Sequence, residues 1–108
     1  MKEERKNPKI SVVVPMYKSA QFASELMNCL CGQTFRDTEI ICVLDGPDKE
    51  TEKIIREVEE RDERVRMIVR EHAGAGAARN EGLSRAAGEY IIFLDADDCY
   101  SPRLLEKL

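Results

Sequence analysis

Four short apolar runs divide the chain: Ile10-Ser11-Val12-Val13-Val14, Glu39-Ile40-Ile41-Cys42-Val43-Leu44-Asp45, Val65-Arg66-Met67-Ile68-Val69 and Tyr90-Ile91-Ile92-Phe93-Leu94. Runs of this length, rich in β-branched residues, read as strands. The last is unbroken by polar residues, which predicts a strand buried on both faces and central in a parallel sheet. Pro15 ends the first run by removing a ladder donor.

Between the runs the apolar residues return at helical spacing. Phe22, Leu26, Cys29 and Leu30 give one face to a helix from about Ala20 to Cys31, with Ser19 as N-cap and Gly32 at C′. Ile54, Ile55 and Val58 do the same for about Lys49 to Arg61, with Asp48 as cap. The other face of that helix carries Glu52–Arg56, Glu57–Arg61 and Glu60–Arg64 at i,i+4, which reads as a solvated charged face. A third helix spans about Ala77 to Ala87, closed by Gly88, and Ser101-Pro102 opens a last one.

The order β-α-β-α-β-α-β-α predicts an α/β fold: an open, mostly parallel sheet with helices on both faces. The expected strand order is 3-2-1-4. Residues 1–9 are polar and read as a frayed tail, and residues 10–108 read as one domain.

Composition narrows the classes. Hydrophobic residues make up 43% and charged residues 35%, the pattern of a soluble globular chain. A net charge of -4 argues against nonspecific nucleic-acid binding, which favours basic surfaces. The four cysteines show no C-x-x-C spacing and there is one histidine, so a zinc site has few candidate ligands. The cysteines read as reduced, Cys42 in the core, in a cytoplasmic setting. Met1 to Lys9 lacks the apolar region of a signal peptide, and no run approaches the roughly 20 residues that cross a bilayer. Membrane association, if any, is expected through parts outside this chain.

Charge gathers where strands end. Asp45 closes the second run, and Asp95, Asp97 and Asp98 follow the fourth within four positions. Ligands of open α/β sheets bind at that edge. Crowded carboxylates repel, and a hard divalent cation relieves the repulsion, so a metal and phosphate site is expected there. The alternative is a polar turn in which Asp97 or Asp98 caps the next helix. Pro15 and Tyr17 line the same edge. Tyr17 can stack on a base while the acids take ribose and metal. Gly74-Ala75-Gly76 precedes a helix but follows the third strand, without the spacing of a dinucleotide fingerprint; close helix-to-sheet approach explains it better.

Four segments together resemble family 2 glycosyltransferases: Val12-Val13-Val14-Pro15-Met16-Tyr17, Val43-Leu44-Asp45-Gly46, Ala78-Arg79-Asn80-Glu81-Gly82, and Gly88 to Asp98. The resemblance covers about Ile10 to Leu108. It implies the nucleotide-sugar half of a GT-A fold, truncated before the acceptor half. It implies that Pro15 and Tyr17 border the base, that Asp45 contacts uracil or its equivalent, and that Asp95-Ala96-Asp97 is the D-x-D motif. Asp95 then lies near the ribose, and Asp97 binds Mg²⁺ or Mn²⁺ at the diphosphate. The implied donor is a UDP-sugar and the implied acceptor a saccharide or lipid hydroxyl. The catalytic base is expected beyond Leu108. Three departures stand out: Leu44 replaces a first acid, Lys18 follows the tyrosine, and His72-Ala73-Gly74 replaces Asn-Gly-Gly.

Lys18 is expected to be exposed, His72 to be a loop histidine and Arg79 to pair structurally. A nucleotide-binding fragment without turnover is the nearest rival function. A receiver domain fits poorly, since no acid pair follows the first strand.

Overall fold

The computed structural model describes residues 8–95 and 105. Its elements are β1 (Ile10–Met16), α1 (Ala20–Cys31), β2 (Thr38–Asp45), α2 (Lys49–Arg61), β3 (Val65–Arg70), α3 (Ala75–Arg85) and β4 (Tyr90–Phe93). The strands form one sheet in the order β3-β2-β1-β4, and each neighbouring pair is parallel. Residues 1–7, 96–104 and 106–108, with the expected tail and last helix, lie outside the described residues.

Alternation within the strands splits the core. Val12, Val14, Met16, Ile40, Cys42 and Leu44 pack against α1 and α2 on one face. Val13, Ile41 and Val43 pack against Ala78 of α3 on the other. The β1 and β2 strands are therefore the ones buried on both faces. The expectation that β4 is central fails: it lies at the edge of the described sheet, with Phe93 42% exposed. Its apolar run meets β1 along one side, where the pairing ends at Val13↔Phe93.

That pairing also explains why Pro15 does not end β1. The carbonyl of Val13 accepts from the Leu94 N–H on the β4 side. Pro15, two residues on, turns its missing donor the same way, past the end of the β1–β4 ladder. The β2 side keeps its register through Met16↔Leu44.

The cap of α2 forms as expected. Asp48 accepts from the Thr51 N–H and hydroxyl, and Glu52 accepts from the Asp48 N–H. Ser19 stands at the N-cap of α1, where its carbonyl accepts from the Phe22 and Ala23 N–H groups, but its hydroxyl makes no cap bond and instead bonds the backbone of Tyr17. The α3 helix starts two residues earlier than its composition suggests, because Gly74 at φ 105° is its N-cap and accepts from Ala78. Arg64 joins Asp62 rather than Glu60, in a two-pronged bond that holds the Asp62 carboxyl well below its ordinary range. Burial pushes Cys42 up to about 12 and, with Asp62 beside it, Cys31 to about 11, so both stay protonated thiols.

At the start of the strands a buried polar knot ties α3 to the sheet. Glu39 accepts from the Ser11 hydroxyl at 2.6 Å and the Ala87 N–H at 2.6 Å, and pairs with Arg66 at 3.3 Å. Gly88 is required by this approach rather than by helix termination: a Cβ there would meet the Ser11 backbone N at 2.7 Å. Gly82 sets the approach at mid-helix, where a Cβ would run into Val13.

Gly82→Ala should therefore lower stability by about 1–3 kcal/mol through overpacking, despite the gain in helix propensity. Gly76→Ala, in the same helix with nothing within 4 Å of an added Cβ, should be neutral or raise stability by up to ~1 kcal/mol. Urea unfolding midpoints at constant slope compare the two.

Candidate functional site

The strand order reverses between β1 and β4, so the ligand crevice of such a sheet opens beyond the C-terminal ends of these strands. The parallel registers Pro15↔Val43 and Val13↔Phe93 carry Tyr17 and Asp45 to one level and Pro15 and Asp95 to another. Pro15, Tyr17, Asp45 and Asp95 thus share one edge. Asp95 is exposed, and Asp97 lies outside the described residues.

Asp45 is the fixed point of this edge. It is only 3% exposed at the end of β2. Its Oδ1 accepts from the Ala73 N–H and its Oδ2 from the Gly74 N–H, both at 2.8 Å. His72 Nδ1 stands 2.8 Å from the same Oδ2 and 3.2 Å from the Asp45 carbonyl oxygen. Burial pushes the Asp45 carboxyl up, but these backbone donors and His72 outweigh it and hold it below its ordinary range.

The donor loop is itself anchored. Gly74 takes φ 105°, a conformation that favours glycine, and this aims two successive N–H groups at one carboxylate. Arg70, at the end of β3, bonds the Ala77 carbonyl at 3.0 Å and pairs with Glu81 at 3.3 Å, bracing the loop against α3. Gly46, at φ 119°, turns the chain away beneath His72.

Tyr17 completes the wall. Its ring stacks on His72 with centroids 4.4 Å apart and an interplanar angle of 21°. Lys18, left-handed at φ 50°, places its Nζ 5.3 Å from the Tyr17 ring and is exposed as expected. Pro15, Met16, Tyr17, Asp45, His72, Gly74 and Ala75 enclose a cleft of about 190 Å³. That is smaller than the roughly 300 Å³ of a whole small-ligand pocket, so it suits one ring of a larger ligand. A wider cleft of about 600 Å³, lined by Lys18, Pro47 and Asp48 among others, lacks a buried group that could fix a ligand.

The structure thus brings together Pro15, Tyr17 and Asp45 with the fourth strand's end. It adds His72, which the sequence alone places only in a loop. One signal was available: His72 stands where the motif pattern has asparagine, beside the Gly74 turn. Arg79 is exposed and pairs with no described acid. Among the described residues no group of three or more His, Cys, Asp or Glu side chains is placed to hold a metal. No described helix is long and apolar enough to cross a membrane.

Comparison with known proteins agrees with this geometry. The family model described as glycosyl transferase family 2 matches residues 11–108. The uncharacterised glycosyltransferase EpsJ of Bacillus subtilis is 39% identical over 101 residues, covering 94% of this chain and 29% of its own length. A crystal structure of S. aureus TarS 1–349 in complex with UDP-GlcNAc superposes with a TM-score of 0.84 at 31% identity, over 92% of this chain and 29% of that one. The mannosyltransferase PcManGT of Pyrobaculum calidifontis, solved with GDP-Man and Mn²⁺, shares the fold at a TM-score of 0.79 and 24% identity, over 88% of this chain and 29% of that one. The chain therefore spans less than a third of each of these proteins.

Asp45→Ala should cost about 1–3 kcal/mol, because it strands two aligned N–H donors. The depressed carboxyl adds stability that is present above its unfolded pKa and lost as pH falls through its folded value. Thermal melts from pH 7 to pH 2 should therefore show a smaller acid-induced loss in Asp45→Asn than in the parent chain.

Proposed function

The chain belongs to glycosyl transferase family 2, and from that premise we propose that it holds the nucleoside diphosphate of a sugar donor, most specifically a UDP-sugar, at the edge of β1, β2 and β4. The observation that carries this reading is the buried Asp45 carboxylate beside the Tyr17 ring, in a cleft sized for one ring. Uracil presents an imino N–H that a carboxylate accepts, and Tyr17 and Pro15 supply the flat apolar flank. TarS, whose structures include complexes with UDP and UDP-GlcNAc, supports uridine over other bases.

Asp95 is exposed one residue beyond Leu94, whose N–H still bonds the β1 backbone. From there its carboxylate can accept from ribose hydroxyls. Asp97 would hold Mg²⁺ or Mn²⁺; the donor set fits, since hard cations take one or two protein carboxylates and complete their shell with phosphate and water. When bound, such a cation neutralises charge on the departing diphosphate. The chain's own residues orient the donor: Asp45 and Tyr17 fix the base, and Asp95 the ribose. Deprotonation of the acceptor, a saccharide or lipid hydroxyl, is assigned to protein outside these 108 residues, since the matched region is only 29% of EpsJ and 29% of the TarS chain.

The 108-residue chain should accordingly bind UDP-sugar without transferring it. Calorimetric titration should show tighter UDP binding with Mn²⁺ than without. Asp97→Asn should abolish that metal-dependent gain while leaving the thermal transition unchanged or slightly raised, since repulsion among acids is relieved. Metal-dependent tightening that persists in Asp97→Asn removes Asp97 as the ligand. Transfer by the isolated chain would show that the base has been misplaced.

A further inference from the structure

The imidazole of His72 has one nitrogen committed and one uncommitted. Nδ1 faces two oxygens of Asp45, at 2.8 Å and 3.2 Å. Neither oxygen can donate, so Nδ1 carries a proton in the neutral and the cationic ring alike. The second proton of the imidazolium therefore sits on Nε2. This nitrogen is an acceptor when the ring is neutral and a donor when the ring is cationic, and it has no hydrogen-bond partner among the described residues.

The position of the ring limits how a base can enter. Rings 4.4 Å apart leave no room for a third between them, so Tyr17 and His72 act as one wall. The His72 side chain is 55% exposed and lines the cleft with Asp45. A carboxylate has about four lone-pair sites, and three donors already use those of Asp45. One remains on Oδ1 for an imino N–H. In uracil that N–H is flanked by carbonyl oxygens, which need a donor beside Asp45. The Ala73 and Gly74 N–H groups are already spent on Asp45.

Resting on the reading of this cleft as the base site, we propose that His72 is a specificity-determining residue whose Nε2–H, present on the imidazolium, donates to the carbonyl beside the imino group that Asp45 accepts. Donor binding then takes up a proton. Imidazole is the side chain suited to this, since it changes charge between pH 5 and 8.

The charged groups around it set the balance. Asp45, at the end of β2, favours the cation at 2.8 Å. From the segment after β1, Lys18, with its Nζ 5.3 Å from the Tyr17 ring that stacks on His72, opposes it. From the end of β3, Glu71 is exposed beside it, and Arg70 is engaged with Glu81. The anionic diphosphate of the ligand adds to the preference for the cation. Because the donor exists only on the imidazolium, the gain in affinity is present at the acid end of the range and is lost toward the alkaline end.

The test is calorimetry with UDP-GlcNAc and its cytidine counterpart, at fixed Mn²⁺, from pH 5.5 to 8.0. A diphosphate diester brings no phosphate group that titrates in this range. Buffers of different ionisation enthalpy count the protons taken up. The parent chain should bind UDP-GlcNAc about tenfold more tightly at pH 5.5 than at pH 8.0, with net proton uptake. The cytidine analogue, which lacks the imino N–H and carries an amino group in place of one flanking carbonyl, should show a much smaller gain. His72→Asn, a donor that does not titrate, should bind UDP-GlcNAc with no pH dependence. Flat binding by the parent chain, or equal proton uptake by His72→Asn, overturns the proposal while leaving the base site standing. If no nucleotide binds at any pH, or Asp45→Ala binds as well as the parent, the reading of the cleft itself fails. Should His72→Asn not fold, the parent's proton uptake and its uridine-to-cytidine contrast still decide.

Discussion

A buried carboxylate that does not face a cation from a neighbouring helix has to find its donors locally, and Asp45 finds them in one turn. Two backbone N–H groups and an imidazole converge on it from the loop after β3. Leaving such a group unpaired would cost several kcal/mol, so the loop cannot wander without penalty. The consequence runs outward. The loop fixes the start of α3, α3 packs on β1 and β2, and the edge where Tyr17 and Asp45 meet acquires a defined shape. Gly74 is the residue that permits this, since its φ of 105° lets two N–H groups point the same way.

The two ends of the sheet divide the labour. At the start of the strands, Ser11, Glu39 and Gly88 form a satisfied polar knot that attaches α3 and offers little to a ligand. At the far end, Asp45 has one lone-pair site and His72 one ring nitrogen without a partner among the described residues. Both ends bury a carboxylate, and both satisfy it with backbone donors flanking α3. What separates them is access: the far end opens onto a cleft lined by an aromatic pair.

Much of this was legible in the residues. The helices α1 and α2 appear with their expected limits, because clean apolar spacing and an aspartate cap leave little choice. The strand order follows from short connections and parallel pairing. Other features depend on partners that a linear reading does not contain. Pro15 looked like a strand end, but its missing donor faces a side where the ladder has already finished. Tyr90 to Phe93 looked doubly buried, yet hydrophobicity records what a strand can bury and not which neighbours cover it. His72 reads only as a loop residue whose motif position is unusual, because Asp45, 27 positions away, is what gives it a role. Asp97, the proposed metal ligand, lies outside the described residues, so its place rests on motif and chemistry.

The central claim is that the carboxylate clamp at the end of β2 is where the nucleobase is read. Backbone amide chemical shifts followed during titration with UDP test it most directly, because the Ala73 and Gly74 amides are themselves the clamp. The account predicts that Tyr17, Asp45, Ala73 and Gly74 shift first and saturate together, while Ser11, Glu39 and Gly88 at the other end of the sheet stay still. Shifts that concentrate around Ser11, Glu39 and Gly88, or that leave Ala73 and Gly74 unmoved at saturation, would contradict it.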